Sequence, residues 1–278
     1  MKKLLLGTLA IGMVAITGCE KQRGCTEPNA INFDVAAEEN DGSCRYEEDN
    51  NSNTDQDSTG TNNGGTDTTN NGSSSGEAKT CQEIEFTWND VTNPTTGRTW
   101  MDRNLGASQV ATSSTDSLAY GDLYQWGRGS DGHECRNSDT TSVLSEGDNP
   151  EHGDFIINNN SLWDWRSPQN DSLWQGVDGI NNPCPTGYRL PTEKEWEEEV
   201  ESWTSEDHNG AYGSVLKLPM AGFRSVSNGS LNSVGTYGYY WGSTVSGTSA
   251  RYLLFSSSVA TMDTYYRANG YSVRCLKD

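Results

Sequence analysis

Apolar residues enter this chain in three different patterns. Leu4 to Ile16 is one run of thirteen residues, apolar apart from small side chains. Residues 47–79 hold no aromatic and no branched aliphatic residue. From Thr80 on, short alternating runs separated by Gly, Asn and Ser turns predict a strand-rich domain. Ile84-Glu85-Phe86-Thr87-Trp88 alternates with period two, Asn93 to Gly97 supplies a turn and Arg98 to Met101 follows, which predicts a hairpin. Tyr252 to Phe255 and Tyr271 to Leu276 predict two more strands, the second with Tyr271, Val273 and Cys275 on one face. One helix is predicted after Thr192. Thr192 and Glu195 fit a capping box, and Trp196, Val200 and Trp203 fall at i, i+4 and i+7. Glu193, Glu195, Glu197, Glu198, Glu199 and Glu201 then form mostly its solvated side, in preference to a catalytic carboxylate run.

The first apolar run is too short to cross a hydrocarbon core of ~30 Å as a helix. With Met1-Lys2-Lys3 before it, residues 1–18 read as a signal peptide. Ile16-Thr17-Gly18-Cys19 resembles the lipobox of bacterial lipoproteins. The resemblance implies cleavage before Cys19 and a diacylglyceryl thioether on its sulfur. Two or three acyl chains, at ~0.8 kcal/mol per buried CH₂, hold a soluble domain on a bilayer without a spanning helix. The membrane is therefore an expected partner through a lipid anchor. The expected location is the outer membrane, at the cell surface or on the periplasmic face. Residues 47–79 cannot bury enough apolar surface to offset chain entropy, so they predict a disordered acidic tether with a span of roughly 30 Å. Such reach favours outward display.

Charge narrows the partner. The formal charge is −20; residues 1–79 hold 13 acidic and 6 basic side chains, and residues 80–278 hold 26 and 13. Both parts are acidic, which excludes the basic face that nucleic-acid binding needs. Beyond Cys19, the cysteines are Cys25, Cys44, Cys81, Cys135, Cys184 and Cys275. An even set in an exported chain reads as three disulfides, with 15 pairings open. Residues 19–46 are the lipidated cysteine plus a small module in which Cys25 and Cys44 bracket a segment too short for a core, so a disulfide staple between them is expected. This segment resembles short GCT…DGSC modules near the ends of exported proteins of the Bacteroidetes type. Asp34, Asn40 and Asp41 beside Gly42 offer oxygen ligands to Ca²⁺, although not at EF-hand spacing. The plain alternative is a polar disulfide knot.

Residues 80–278 carry all nine tryptophans and eleven of the twelve tyrosines, enough chain for one full core. Several phrases recur there in order: Gly97-Arg98-Thr99-Trp100-Met101-Asp102-Arg103-Asn104-Leu105-Gly106, Tyr120 to Arg128, Asp131 to Glu134, Pro183 to Thr192 with Glu195-Trp196, Leu216 to Pro219, Gly222-Phe223-Arg224, Gly238 to Trp241, and Ser272 to Cys275. Together they resemble the Fibrobacter succinogenes major paralogous domain, a family of exported bacterial proteins, over essentially all of 80–278. Its RLPTExEW helix and VRC strand are similar to the fold shared by C-type-lectin-like domains and formylglycine-generating enzymes, the sulfatase-modifying factors. The implied fold class is α+β, with short twisted antiparallel sheets, one or two helices and long loops. In that arrangement Cys184 lies near the last strand, which implies Cys184–Cys275 and leaves Cys81 with Cys135.

The same resemblance raises enzyme readings that the residues do not support. Formylglycine-generating relatives use a copper-binding cysteine pair, and the corresponding region here has only Cys275. The related iron enzymes need clustered histidines, whereas His133, His152 and His208 have no metal-ligand spacing. No GxSxG is present in residues 80–278. Paired carboxylates for glycoside hydrolysis depend on a three-dimensional separation and stay open. Trp88-Asn89-Asp90 and Glu27-Pro28-Asn29 spell motifs of calcium-dependent lectins, but they lie in separate segments and read as coincidence.

A non-catalytic recognition domain without a cofactor, beyond the calcium candidates, is the expected function, with a polysaccharide or glycan as ligand. A structural or protein-binding envelope component is the alternative, and a glycoside hydrolase or formylglycine-generating-like enzyme the remoter one. Aromatic rings offer sugars flat apolar area at low entropic cost. Trp100, Trp126, Trp196 and Trp241 sit in family phrases and read as core. Trp163, Trp165 and Trp174, with Asp164 and Arg166, lie in the polar stretch Asn158 to Asn182 and are the candidate ligand-binding residues. The competing expectation is that this loop folds back and buries its tryptophans.

Overall fold

The computed structural model describes residue 81, residues 86–159 and residues 162–278, with the backbone of residues 23–24 and 39–40. The chain divides into two units, Met1–Thr69 and Asn70–Asp278. In the first, strand β1 (Arg23–Gly24) pairs in parallel with β2 (Glu39–Asn40). The expected lipidation of Cys19, the Cys25–Cys44 staple and the side chains of Asp34, Asn40 and Asp41 lie outside the described residues.

The second unit opens on the predicted hairpin, displaced along the chain. β3 (Asp90–Thr92) pairs antiparallel with β4 (Thr99–Met101), Val91 opposite Trp100. Phe86 to Trp88 lie before the strand instead of forming it. Asn93 explains the displacement. Its Oδ1 accepts the Thr95 amide at 2.8 Å and its Nδ2 donates to Glu199 Oε2 at 2.7 Å, so the turn begins directly after Thr92. Phe86 stacks on Trp88, which meets Tyr188 edge-on, and these rings cover the core from outside the ladder.

Short strands follow: β5 (Tyr124–Gln125), β6 (Thr140–Thr141), β7 (Phe155–Ile156) and β8 (Tyr188–Arg189). Helices α1 (Glu193–Glu201) and α2 (His208–Gly213) come next. β9 (Phe223–Arg224), β10 (Leu231–Asn232), β11 (Gly238–Ser246), β12 (Ser249–Phe255), β13 (Ala260–Tyr266), β14 (Gly270–Tyr271) and β15 (Leu276–Lys277) complete the unit. The sheets run β3-β4-β15-β8, β10-β9-β14-β5 and β11-β12-β13, all antiparallel, with a small parallel pair β6-β7. This is an α+β arrangement of small sheets, two helices among the described residues, and long loops. None of those helices is long and apolar enough to cross a membrane.

The predicted capping box forms at α1. Thr192 Oγ1 accepts the Glu195 amide, and Glu195 Oε2 accepts the Thr192 amide at 2.8 Å. Trp196 is fully buried, and Val200 and Trp203 pack against the same cluster. Two of the glutamates expected in solvent are buried instead. Glu195 is engaged by Arg189, and Glu199 accepts from Asn93 and Trp203.

The three-stranded sheet divides the core by simple alternation. One face sends Tyr240, Leu253, Phe255 and Ala260 under α1 to meet Trp100 and Trp196. The other sends Trp241, Ala250 and Tyr252 toward Tyr271, Trp126 and Trp174. Tyr271, Val273 and Cys275 share that second cluster, as the predicted strand face requires. The strand itself is broken, because its backbone serves three partners in turn. Ser272 O takes the Trp241 amide, Val273 O the Leu105 amide, and Cys275 O the Met101 amide. Disulfides Cys184–Cys275 and Cys81–Cys135 both form, with Cα separations of 5.9 and 5.3 Å.

Candidate functional site

The tryptophan loop folds back. Trp165 and Trp174 are completely buried; their indole N–H groups donate to Trp126 O at 2.7 Å and Asn181 O at 2.8 Å. They belong to the core and present no face to a ligand. Asp164 is buried beside them and accepts from Gln169 at 2.9 Å. Burial pushes its carboxyl up to about 6, against the lowering charge of Arg267. Arg166 pairs with Asp148 at 2.9 Å and is half-buried. Of the three tryptophans only Trp163 is half-buried, stacked on Tyr266 with centroids 4.9 Å apart. Three of the five candidate residues are therefore buried, and Trp163 and Arg166 are half-buried.

Asp131, His133 and Glu134 are the one grouping of three metal-ligand types among the described residues. Most of their donor atoms already have partners within the loop. His133 Nε2 accepts the Gln125 amide at 3.0 Å while Nδ1 faces Asp131 Oδ1 at 2.7 Å. Asp131 Oδ2 takes Arg128 Nε at 2.7 Å, and Glu134 Oε2 takes the amides of Gly132 and Asp131. Burial, helped by the Arg128 charge, lowers His133 to about 4, so the ring is neutral and acts as donor and acceptor at once. The cluster holds its own loop in shape. Beside it lies an open polar cleft of about 450 Å³, bordered by Asp131, Asp148, Glu151, His152 and Asn181.

A different surface collects exposed aromatics. On the second face of the β11-β12-β13 sheet the register places Tyr239, Leu254 and Thr261 in one row, Trp241, Tyr252 and Asp263 in the next, and Ala250 with Tyr265 in a third. Trp241, Tyr252 and Ala250 are buried, Tyr239 and Leu254 half-buried, and Thr261, Asp263 and Tyr265 exposed. Tyr237 stacks on Tyr239 at 6.0 Å, Tyr239 on Tyr252 at 6.0 Å, and Phe223 meets Tyr239 edge-on at 5.0 Å. The outer rings are the open ones, Tyr237 at 38% and Tyr265 at 44% exposure. Burial raises the Tyr239 and Tyr252 hydroxyls, so both stay neutral and able to donate. Asp263 is the one charged side chain in the three rows, and its Oδ2 lies 3.4 Å from the Tyr252 hydroxyl. Tyr237, Tyr239, Tyr252 and Tyr265 were not singled out from the sequence. The alternating exposure of Thr261, Asp263 and Tyr265 follows from a two-residue period in β13, a signal present in the sequence.

With an α+β unit and an aromatic sheet face established, comparison with known proteins adds one relationship. A family described as a domain of unknown function (DUF8237) matches residues 198–276, which includes β9 to β14 and the whole tyrosine face. No curated protein and no solved structure matches the chain.

Proposed function

We propose that this chain is an exported lipoprotein, anchored in the outer membrane through Cys19, whose residues 80–278 recognise a polysaccharide or glycan at the cell surface without transforming it. The tyrosine face carries the reading. Outer rings Tyr237 and Tyr265 supply apolar area for sugar faces, and Tyr239 and Asp263 supply hydrogen-bonding groups between them, with the buried Tyr252 hydroxyl donating to Asp263. Asp263 and the domain's net negative charge favour a neutral glycan over a sulfated or uronic one. A binding role also suits the titrating groups. Glu134 is raised to about 7 and Asp164 to about 6, the range a general acid needs, yet both are buried under backbone and side-chain partners. The test is a polysaccharide binding screen of the full Cys19→Ala chain, with calcium and with EDTA. Capture of a defined neutral glycan supports the reading. EDTA sensitivity brings the Asp34, Asn40 and Asp41 calcium site into it, and turnover of the glycan would replace recognition by hydrolysis.

A further inference from the structure

The opposite face of the same sheet ends in a groove that shares only the edge residue Thr261 with the tyrosine surface. β13 is an edge strand: among the described residues its only ladder partner is β12, and the two keep one register from Ser249↔Tyr266 to Phe255↔Ala260 without a bulge. In an antiparallel ladder every second residue of an edge strand points its N–H and C=O away from the sheet. β13 has few of the usual protections of such an edge: it is seven residues long, holds no proline or lysine, and carries one charge, Asp263. Beside it α1 forms a wall. The groove between them measures about 530 Å³; α1 lines it with Glu193, Glu197, Val200 and Glu201, the sheet with Arg251, Thr261 and Met262, and Glu206 also borders it. Glu193, Glu197 and Glu201 recur at i, i+4 and i+8, so they share the flank of α1 that faces the groove. Arg251 Nε pairs with Glu193 at 2.9 Å, which leaves Glu197, Glu201 and Glu206 without a cationic partner among the described residues. Val200 and Met262, both half-buried, make an apolar floor.

We propose that this groove is the docking site for an extended, basic segment of a partner protein, which adds as a strand to β13 while alternate lysine or arginine side chains meet the glutamates of α1. Three features fit that occupant together. The free strand edge binds a peptide backbone and no other common polymer. The period of two places every second side chain of an added strand on the α1 side, where the carboxylates stand. The floor accepts the aliphatic stems of long cationic side chains. A second copy of this chain fits poorly, because pairing β13 with itself would bring two acidic walls and two acidic domains together.

The experiment uses the full Cys19→Ala chain and a fluorescein-labelled ten-residue peptide of alternating lysine and threonine. The proposal expects saturable binding, weakened several-fold between 50 and 300 mM salt because the charges are exposed. It expects amide exchange to slow within residues 260–266 and not on the rest of the sheet. Glu197→Lys/Glu201→Lys should weaken binding at least tenfold with an unchanged circular dichroism spectrum. The same peptide N-methylated at alternate amides should bind the unaltered protein at least tenfold more weakly, an arm that does not depend on any variant folding. Equal binding of the N-methylated peptide would reduce the site to general charge attraction and overturn the proposal. So would absence of protection in 260–266, capture of an amino-sugar oligomer that displaces the peptide, or a peptide-free dimer that protects the same strand.

Discussion

Arg189 grips Glu195 with both prongs of its guanidinium, Nη1 on Oε2 and Nη2 on Oε1, each at 2.8 Å. Arg98 Nη1 adds a third contact to Oε1 at 3.0 Å, and the Thr192 amide a fourth to Oε2 at 2.8 Å. Burial alone pushes this carboxyl up, but the Arg189 and Thr192 donors outweigh it and hold it at about 2, below its ordinary 4.5. The pair ties the start of α1 to β8 and, through Arg98, to the hairpin.

A folded value below the unfolded one gives stability that is complete above pH 4.5 and lost as pH falls from there toward 2. Glu195→Gln is expected to cost on the order of 2–3 kcal/mol at neutral pH and to flatten the acid limb of the stability curve in that window. Denaturant titrations between pH 2 and 7 check this; an acid limb identical to the parent's would remove the pair from the explanation.

Glu134 has the opposite sign. Burial raises it to about 7, so its favourable contribution is full below pH 4.5 and declines as pH rises through 7. Glu134→Gln should therefore gain on the parent steadily between pH 5 and 8, as read by thermal unfolding at each pH. A constant offset across that range would show that the carboxyl does not titrate there.

The two disulfides differ in access. Cys81 is exposed, whereas Cys184 and Cys275 are 8% and 0% exposed. Mild thiol followed by alkylation and peptide mapping should label Cys81 and Cys135 well before Cys184 and Cys275. Loss of the buried bridge, in Cys184→Ser/Cys275→Ser, should cost about 2–5 kcal/mol in denaturant unfolding.

The tryptophan loop offers a direct comparison of core and surface. Trp165→Ala should destabilise by about 3–5 kcal/mol, since it empties a fully buried site and orphans Trp126 O. Trp163→Ala loses a half-open stack on Tyr266 and should cost about 1 kcal/mol. Equal losses would contradict the burial assigned to the loop.

Local signals were the ones legible in the chain. The capping box and the Trp196, Val200, Trp203 stripe depend on neighbours one or two turns away, and α1 forms where they place it. The Tyr271, Val273, Cys275 face follows from strand period alone. Composition left two expectations for the Asn158 to Asn182 stretch, an open ligand loop or one folded back over its tryptophans, and inward-turned polar groups give the second for Trp165 and Trp174. Asn158 Nδ2 donates to Asp164 O at 2.6 Å, and Asn181 Nδ2 to Gly127 O and Asp148 O, so a polar stretch wraps buried tryptophans. The tyrosine face escaped notice for another reason. Tyr239, Tyr252 and Tyr265 lie on three strands, and only the register of β11, β12 and β13 makes them neighbours.

The most direct measurement of the recognition reading is the affinity of the Tyr237→Ala/Tyr265→Ala chain for the glycan that the parent captures, set beside its unfolding curve. Both rings are more than a third exposed, so the fold should persist with a loss of about 1 kcal/mol or less while capture falls at least tenfold. Undiminished capture by a folded variant would contradict the assignment of this face as the ligand surface.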